Sequence, residues 1–404
     1  MKRNCCLVCG HKNMIEIIDL GNHAYADTFV EATRLHDRLP VYKLSCELCP
    51  DCGQIQTGCS TIPAERYGMH QYSYTSSNSP TARDHWQEYS KIIAEKTKLS
   101  PESMVVEVGS NDGYLLEQFK NLGHHVVGID ASSYVAEIAI KNGISTMVSI
   151  FDNRSAPEIK NSISEEIDLV VANNVFNHSE SPLSFAQGAR LLLRDGGHFV
   201  YELPYWLCSI ESKKVDQVYH EHVSYFTVKS SAEIMARSGF KIIDVEVVDY
   251  HGGSLRIIAR KNNDNLPHAP IVYKMIEKEG LLFKKETYDG IMKELEDRKY
   301  KFLSHIAKLK SSGESVIAIG AAAKGNTFLN FVNLDGTLID YVTDASKHKQ
   351  GKYTPLTNIP IASDNILSSY GRVYAIILSW NIADKIKPKL KEINPRIQFL
   401  DFYE

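Results

Sequence analysis

Apolar residues fill Met104-Val-Val and Val108, interrupted by Glu107. A turn, Gly109-Ser-Asn-Asp-Gly113, follows, and then a segment over 114–119 with apolar positions at helical spacing. A second apolar run over 126–130 ends in Asp130. Strand, glycine turn, helix and strand in this order predict the first half of a nucleotide-binding α/β unit. The alternation continues with a helix near 133–142, strands near 145–150 and 167–173, a helix, and a strand over 198–203, which together predict a five-strand core. Ahead of it, Ser79 is placed to cap a helix over 80–98. Behind it, a charged, helix-patterned connector over 273–309 leads to a second buried strand, Val316-Ile-Ala-Ile-Gly320. Runs over 339–343 and 374–378 complete a smaller second α/β domain.

The first turn reads Glu107-x-Gly109-x-x-x-Gly113 and lacks the third glycine of the dinucleotide fingerprint. S-adenosylmethionine fits it better. That molecule carries a sulfonium and an ammonium but no pyrophosphate, so its cradle needs carboxylates. Glu107 and Asp112 flank the glycines beside Asn111, and Asp130 lies about twenty residues beyond Gly109, where an acid accepts from ribose hydroxyls. In an open parallel sheet the ligand lies past the carboxyl ends of the strands, so Asn173, Asn174 and His178 are expected to face the same cleft.

Six of the eight cysteines fall within the first 52 residues. The pairs Cys6/Cys9 and Cys49/Cys52, each followed by glycine, predict a tetrahedral zinc site of four thiolates, structural because no position stays open. Cys46/Cys49 is an alternative second pair. With 404 residues the chain exceeds one core, and domains are expected over 1–70, 71–262 and 263–404. A net charge of -4 without a basic run argues against nucleic acid, and no apolar run is long enough to span a bilayer, so a cytoplasmic protein, monomer or homodimer, is expected.

The densest chemistry is Asp216-Gln-Val-Tyr219-His220-Glu221-His222. Its histidines are too close for a helical His-Glu-x-x-His zinc site, and the mixture suits a general base: an imidazole titrating near neutrality, a carboxylate to orient it and a phenol as donor. His251-Gly252-Gly253-Ser254 reads as a turn where glycines let backbone approach a ligand. Lys324-Gly325-Asn326-Thr327 fails the triphosphate-loop pattern, yet a glycine turn opening a helix, with Lys324 and the basic stretch ending at Lys352, suits a diphosphate.

In this order, with the Tyr72-Ser-Tyr74-Thr-Ser-Ser loop, these motifs resemble the sugar C-methyltransferases of deoxysugar biosynthesis, which methylate carbon 3 of a 4-keto-hexose carried on dTDP. The resemblance covers nearly the whole chain. It implies a class I S-adenosylmethionine methyltransferase core, a small zinc-binding domain before it and a second Rossmann-like domain after it, which helps hold the sugar nucleotide. It also implies an active site of Tyr72 or Tyr74, His178, Tyr219, Glu221 and His222. Phe176 and Asn177 depart from the small or aliphatic residues expected before that histidine, which bears on sugar stereochemistry. An O- or N-methyltransferase of a small molecule and a zinc-bearing RNA methyltransferase are the rival readings.

Overall fold

Buried on both faces, the Met104–Val108 strand sits inside a sheet whose order places it between Ile167–Val171 on one side and His125–Asp130 on the other. A strand covered on both faces has no polar face to show, which explains why only Glu107 interrupts its apolar run. The computed structural model describes residues 2–61, 75–77, 79–263 and 266–403. Among them this sheet runs Phe240–Val248, Ser254–Lys261, Leu193–Pro204, Ile167–Val171, Met104–Val108, His125–Asp130 and Thr146–Val148. The last five are mutually parallel, and Ser254–Lys261 is antiparallel to both its neighbours. The expected five-strand core is therefore extended by a hairpin at one edge. Strand order reverses between Met104–Val108 and Ile167–Val171, which opens the crevice beyond Val108 and Val171.

A second sheet is parallel throughout, in the order Ile361–Ala362, Val342–Thr343, Ser315–Ile319, Val373–Ile377 and Ile397–Leu400. The Lys285–Ser311 helix buries Tyr288, Leu295, Phe302 and Ile306, a stripe at spacings of seven, seven and four. It covers this sheet and also the N-terminal one. Ile18 and Leu44 share a single apolar cluster with Leu295, Phe302, Val316 and Leu329. The N-terminal module thus borrows a core from the opposite end of the chain. Among the described residues, no helix is long and apolar enough to cross a membrane.

The N-terminal sheet is antiparallel, Ile15–His23, Tyr42–Leu48 and Ile55–Thr57, and its last strand is Ser224–Tyr225, contributed from beyond the central sheet. Two turns carry the thiols: Gly10 N–H donates to the Cys6 carbonyl at 3.1 Å and Gly53 N–H to the Cys49 carbonyl at 3.0 Å. Cys6 and Cys52 sulfurs are 3.5 Å apart, as are those of Cys9 and Cys49, and all four lie within 4.8 Å of one another. Four thiolates so close repel unless a cation sits among them, and the spacing fits a tetrahedral ion with metal–sulfur bonds of about 2.3 Å. Cys46 is fully buried elsewhere, with burial pushing its thiol up, so the second pair is Cys49 and Cys52. Gln56 ties the first turn to the sheet, accepting from Leu7 N–H at 2.9 Å and donating to the Cys5 carbonyl at 3.0 Å.

Cys52→Ser is expected to lower bound zinc from about one ion per chain to near zero and to lower the melting temperature, whereas Cys46→Ser keeps the metal. Elemental analysis of the purified variants decides it; metal lost from Cys46→Ser and retained in Cys52→Ser contradicts the assignment.

Candidate active site

At the crevice of the central sheet, Gly109 and Gly113 adopt φ of 74° and 80°, and Asn111 between them adopts 52°. Such left-handed backbone favours glycine or asparagine. A Cβ on Gly109 would lie 2.7 Å from Val175, so the turn packs directly on the loop that follows Ile167–Val171. Asp130 accepts from Asn111 N–H at 2.9 Å and Ser132 N–H at 2.8 Å. Two bonds leave a carboxylate further lone pairs for a ligand's hydroxyls.

Glu107 is 5% exposed and its Oε2 has no hydrogen-bond partner among the described residues. Burial raises its carboxyl well above the usual range, and Asp112 and Asp130 raise it further. Acids crowded this way suit a cation. Asp112 is committed differently. It accepts from the Ser76 hydroxyl, from Ser77 N–H at 3.1 Å and from the Ser77 hydroxyl at 2.6 Å, so its carboxylate clamps the serine loop onto the turn.

The second half of the site is a tight turn between the short 3-10 helix Val215–Gln217 and Ser224–Tyr225. His222 Nδ1 lies 3.0 Å from the Gln217 carbonyl and Nε2 lies 2.5 Å from the Tyr219 hydroxyl. A carbonyl can only accept, so Nδ1 carries the proton, and the Nε2 lone pair receives the Tyr219 O–H. The His178 ring stands edge-on to His222 with centroids 5.0 Å apart. Its backbone N–H donates to the Val175 carbonyl at 3.0 Å, which connects the imidazoles to the cofactor turn through Val175. Burial, then His178 and Lys324, lower the His222 imidazole well below 6.5, so the ring is neutral at physiological pH.

Several expected residues serve other ends. Glu221 does not orient His222: it accepts from Asp27 N–H at 3.3 Å, toward the N-terminal domain, and the Gln217 carbonyl takes the orienting role. Ser254 is fully buried and donates to the Tyr250 carbonyl at 2.9 Å, out of a ligand's reach. Gly252 and Gly253 do permit close approach, but by Trp380 and Cys208 side chains. Asn326 is buried and donates to the Ala26 carbonyl at 2.6 Å, binding two domains together. Asn173 accepts from Glu202 N–H at 2.9 Å, and Asn174 N–H donates to the Glu202 carbonyl at 2.8 Å, so this pair shapes the crevice rim. His251 lies near His222, lowered to about 3 by burial, Lys324, His85 and His222. Tyr72 and Tyr74 lie outside the described residues.

Nothing local in the sequence marks Glu202, Trp380 or Arg34, whereas His348, Lys349 and Lys352 belong to the basic stretch expected to meet a diphosphate. Glu202 is buried between Arg256, whose Nε donates at 2.8 Å, and His85, whose Nε2 lies at 2.6 Å, so its charge is paired. A cleft of about 620 Å³ opens between the domains, lined among others by Phe29, Arg34, Tyr134, His348, Lys349 and Lys352. Lys352 ion-pairs with Glu31 there at 3.0 Å.

Three family models match in chain order: a putative zinc binding domain over residues 6–67, a methyltransferase domain over 83–245 and a C-methyltransferase C-terminal domain over 249–399. The C-methyltransferase NovU of Streptomyces niveus is 27% identical over 391 residues, 96% of this chain and 92% of that protein. Among solved structures, the CurJ carbon methyltransferase is 14% identical over 46% of this chain and 56% of its own, with a TM-score of 0.36. Magnesium protoporphyrin IX methyltransferase from Synechocystis is 15% identical over 45% of this chain and 83% of its own, also with a TM-score of 0.36. The sheet order, the acid-lined glycine turn, the four-thiol cluster and the consecutive domain matches together make this chain an S-adenosylmethionine-dependent C-methyltransferase with an N-terminal zinc-binding domain.

Proposed function

We propose that the enzyme methylates carbon 3 of a 4-keto-6-deoxyhexose carried on a nucleoside diphosphate, dTDP by the family resemblance. The observation that carries the reading is the neutral, tautomer-fixed His222 with its Nε2 turned to Tyr219, beside His178. A carbon is a poor nucleophile until a neighbouring ketone acidifies its hydrogen, so C-methylation calls for a base and a donor on one side of the substrate. His222 takes the proton from C-3 at Nε2, the atom now facing the Tyr219 hydroxyl. Tyr219 or His178 then donates to the enolate oxygen at C-4. The Gln217 carbonyl holds the imidazolium through Nδ1–H. S-adenosylmethionine supplies the electrophilic methyl group, and Glu107 and Asp130 hold it by its positive and hydroxyl-bearing ends. The basic side chains of the interdomain cleft suit the carrier diphosphate, with Phe29 and Tyr134 offering apolar surface.

Product analysis with a 4-keto sugar nucleotide and its 4-hydroxy counterpart tests the substrate class: methyl transfer is expected only to the ketone, and equal transfer to the alcohol marks an O-methyltransferase. His222→Asn should keep both ligands bound while losing most turnover, about 10²-fold or more; activity within about threefold of the parent rules His222 out as the base.

The pH dependence follows from the lowered imidazole. The base is the neutral form, so the acid limb of kcat should lie below 6.5 and the rate should be level through neutrality. Lys324, lowered to about 8 by burial, loses its positive field above that pH, so kcat/KM should fall on the alkaline side. A kcat still rising between pH 7 and 8 would contradict this. Lys352→Ala should raise KM for the sugar nucleotide about tenfold with kcat little changed; steady-state kinetics with an unaltered KM would remove Lys352 from the carrier site.

A further inference from the structure

Where strand order reverses between Ser315–Ile319 and Val373–Ile377, a parallel sheet ordinarily offers a ligand crevice. This chain fills its own. Gly320, at φ 92°, approaches Ser379 so closely that a Cβ would lie 2.3 Å from the Ser379 hydroxyl. The next residue, Trp380, reaches out of the C-terminal domain into the loop that carries the base. Its indole N–H donates to Asp216 Oδ2 at 2.6 Å. Lys214 Nζ stands 3.6 Å from the indole centroid and Lys324 Nζ 4.4 Å from it. On another edge the ring meets Gly252, where a Cβ would come within 2.4 Å of a ring carbon. The indole is thus wedged between a glycine and a carboxylate only 3% exposed.

Asp216 precedes Gln217 on the 3-10 turn Val215–Gln217, and the Gln217 carbonyl is the acceptor for His222 Nδ1–H at 3.0 Å. We propose that Trp380 is a positioning residue for the base: its N–H to Asp216 fixes the Val215–Gln217 turn, and the turn fixes the tautomer and aim of His222. The inference rests on the reading of His222 as the base. A neutral imidazole has two tautomers, and the hydrogen bond made by one nitrogen decides which lone pair is offered. If the turn drifts, the Gln217 acceptor drifts with it, and the lone pair leaves Nε2 for part of the population. The C-terminal domain then contributes to proton transfer without touching the reacting atoms.

Trp380→Phe removes the donor and leaves an aromatic ring at the position, and Asp216→Leu, tested beside it, removes the acceptor at similar volume. Each is expected to lower kcat about tenfold, with KM for both substrates within twofold. The double variant should lose no more than either single one, because both break the same bond. Imidazole-nitrogen NMR of the free enzyme supplies the readout that a merely structural role would not move. Wild type should show His222 in the Nδ1–H form alone, and Trp380→Phe a mixture. An unchanged His222 tautomer in both variants overturns the proposal, whatever happens to turnover. The NMR comparison needs no substrate, so it decides the role of Trp380 even if His222→Asn were to stay active and the base reading were to fail.

Discussion

The site depends on a two-residue strand pairing. Ile55 and Gln56 of the N-terminal domain pair antiparallel with Tyr225 and Ser224, Thr57 N–H donates to the Val223 carbonyl at 2.9 Å, and buried Gln54 donates to the Ser224 hydroxyl at 2.9 Å. The residues just before are gripped from the same side. His220 packs its ring edge-on to Tyr25 and Tyr42, and Glu221 accepts from Asp27 N–H. A turn held through so many consecutive positions has little freedom left in the remaining two. Tyr219 and His222 are the residues it turns toward each other. Register matters here because a slip of one residue would turn alternate side chains to the wrong face.

The zinc-binding module reaches the Tyr219–His222 turn through this contact. The thiol turns and the strand that grips the Tyr219–His222 turn are one hydrogen-bonded unit: Cys49 N–H donates to the Gln54 carbonyl at 2.8 Å, and Gln56 ties the Cys5–Leu7 turn to the strand. Four protein thiolates leave no open position for a substrate, so a metal there stabilises geometry. From the other side, the apolar cluster shared by Ile18, Leu295 and Val316 packs the C-terminal domain against the same module. The Tyr219–His222 turn is held between two domains that share a core, while the acid-lined glycine turn belongs to the third.

What could be read in the sequence was what local chemistry decides. The turn Glu107–Gly113 and the acid at Asp130 are set by strand, glycine and helix in immediate succession, and the cysteine pairs by their spacing. Sequence alone left open whether Cys46 or Cys52 completed the metal site, and only the strand position of Cys46 decides against it. Side-chain direction in the Tyr219–His222 turn was not legible. Glu221 is adjacent to His222 in the chain, yet it faces another domain, and the Gln217 backbone does what a carboxylate was expected to do. The hairpin of Phe240–Val248 and Ser254–Lys261 was missed because its glycine turn resembled a ligand loop, when its glycines make room for Trp380 and Cys208. The Trp380–Asp216 bond spans 164 residues and has no local signature.

In the proposed mechanism the His222 imidazole removes hydrogen from C-3 of the sugar. Incubating the enzyme in heavy water with a 4-keto sugar nucleotide and S-adenosylhomocysteine, which has no methyl group to give, isolates that step. Deuterium is expected to enter at C-3, readable by mass spectrometry and NMR, and His222→Asn should abolish the exchange. Methyl transfer by an enzyme that never exchanges that hydrogen, or exchange that persists undiminished without the imidazole, would contradict it.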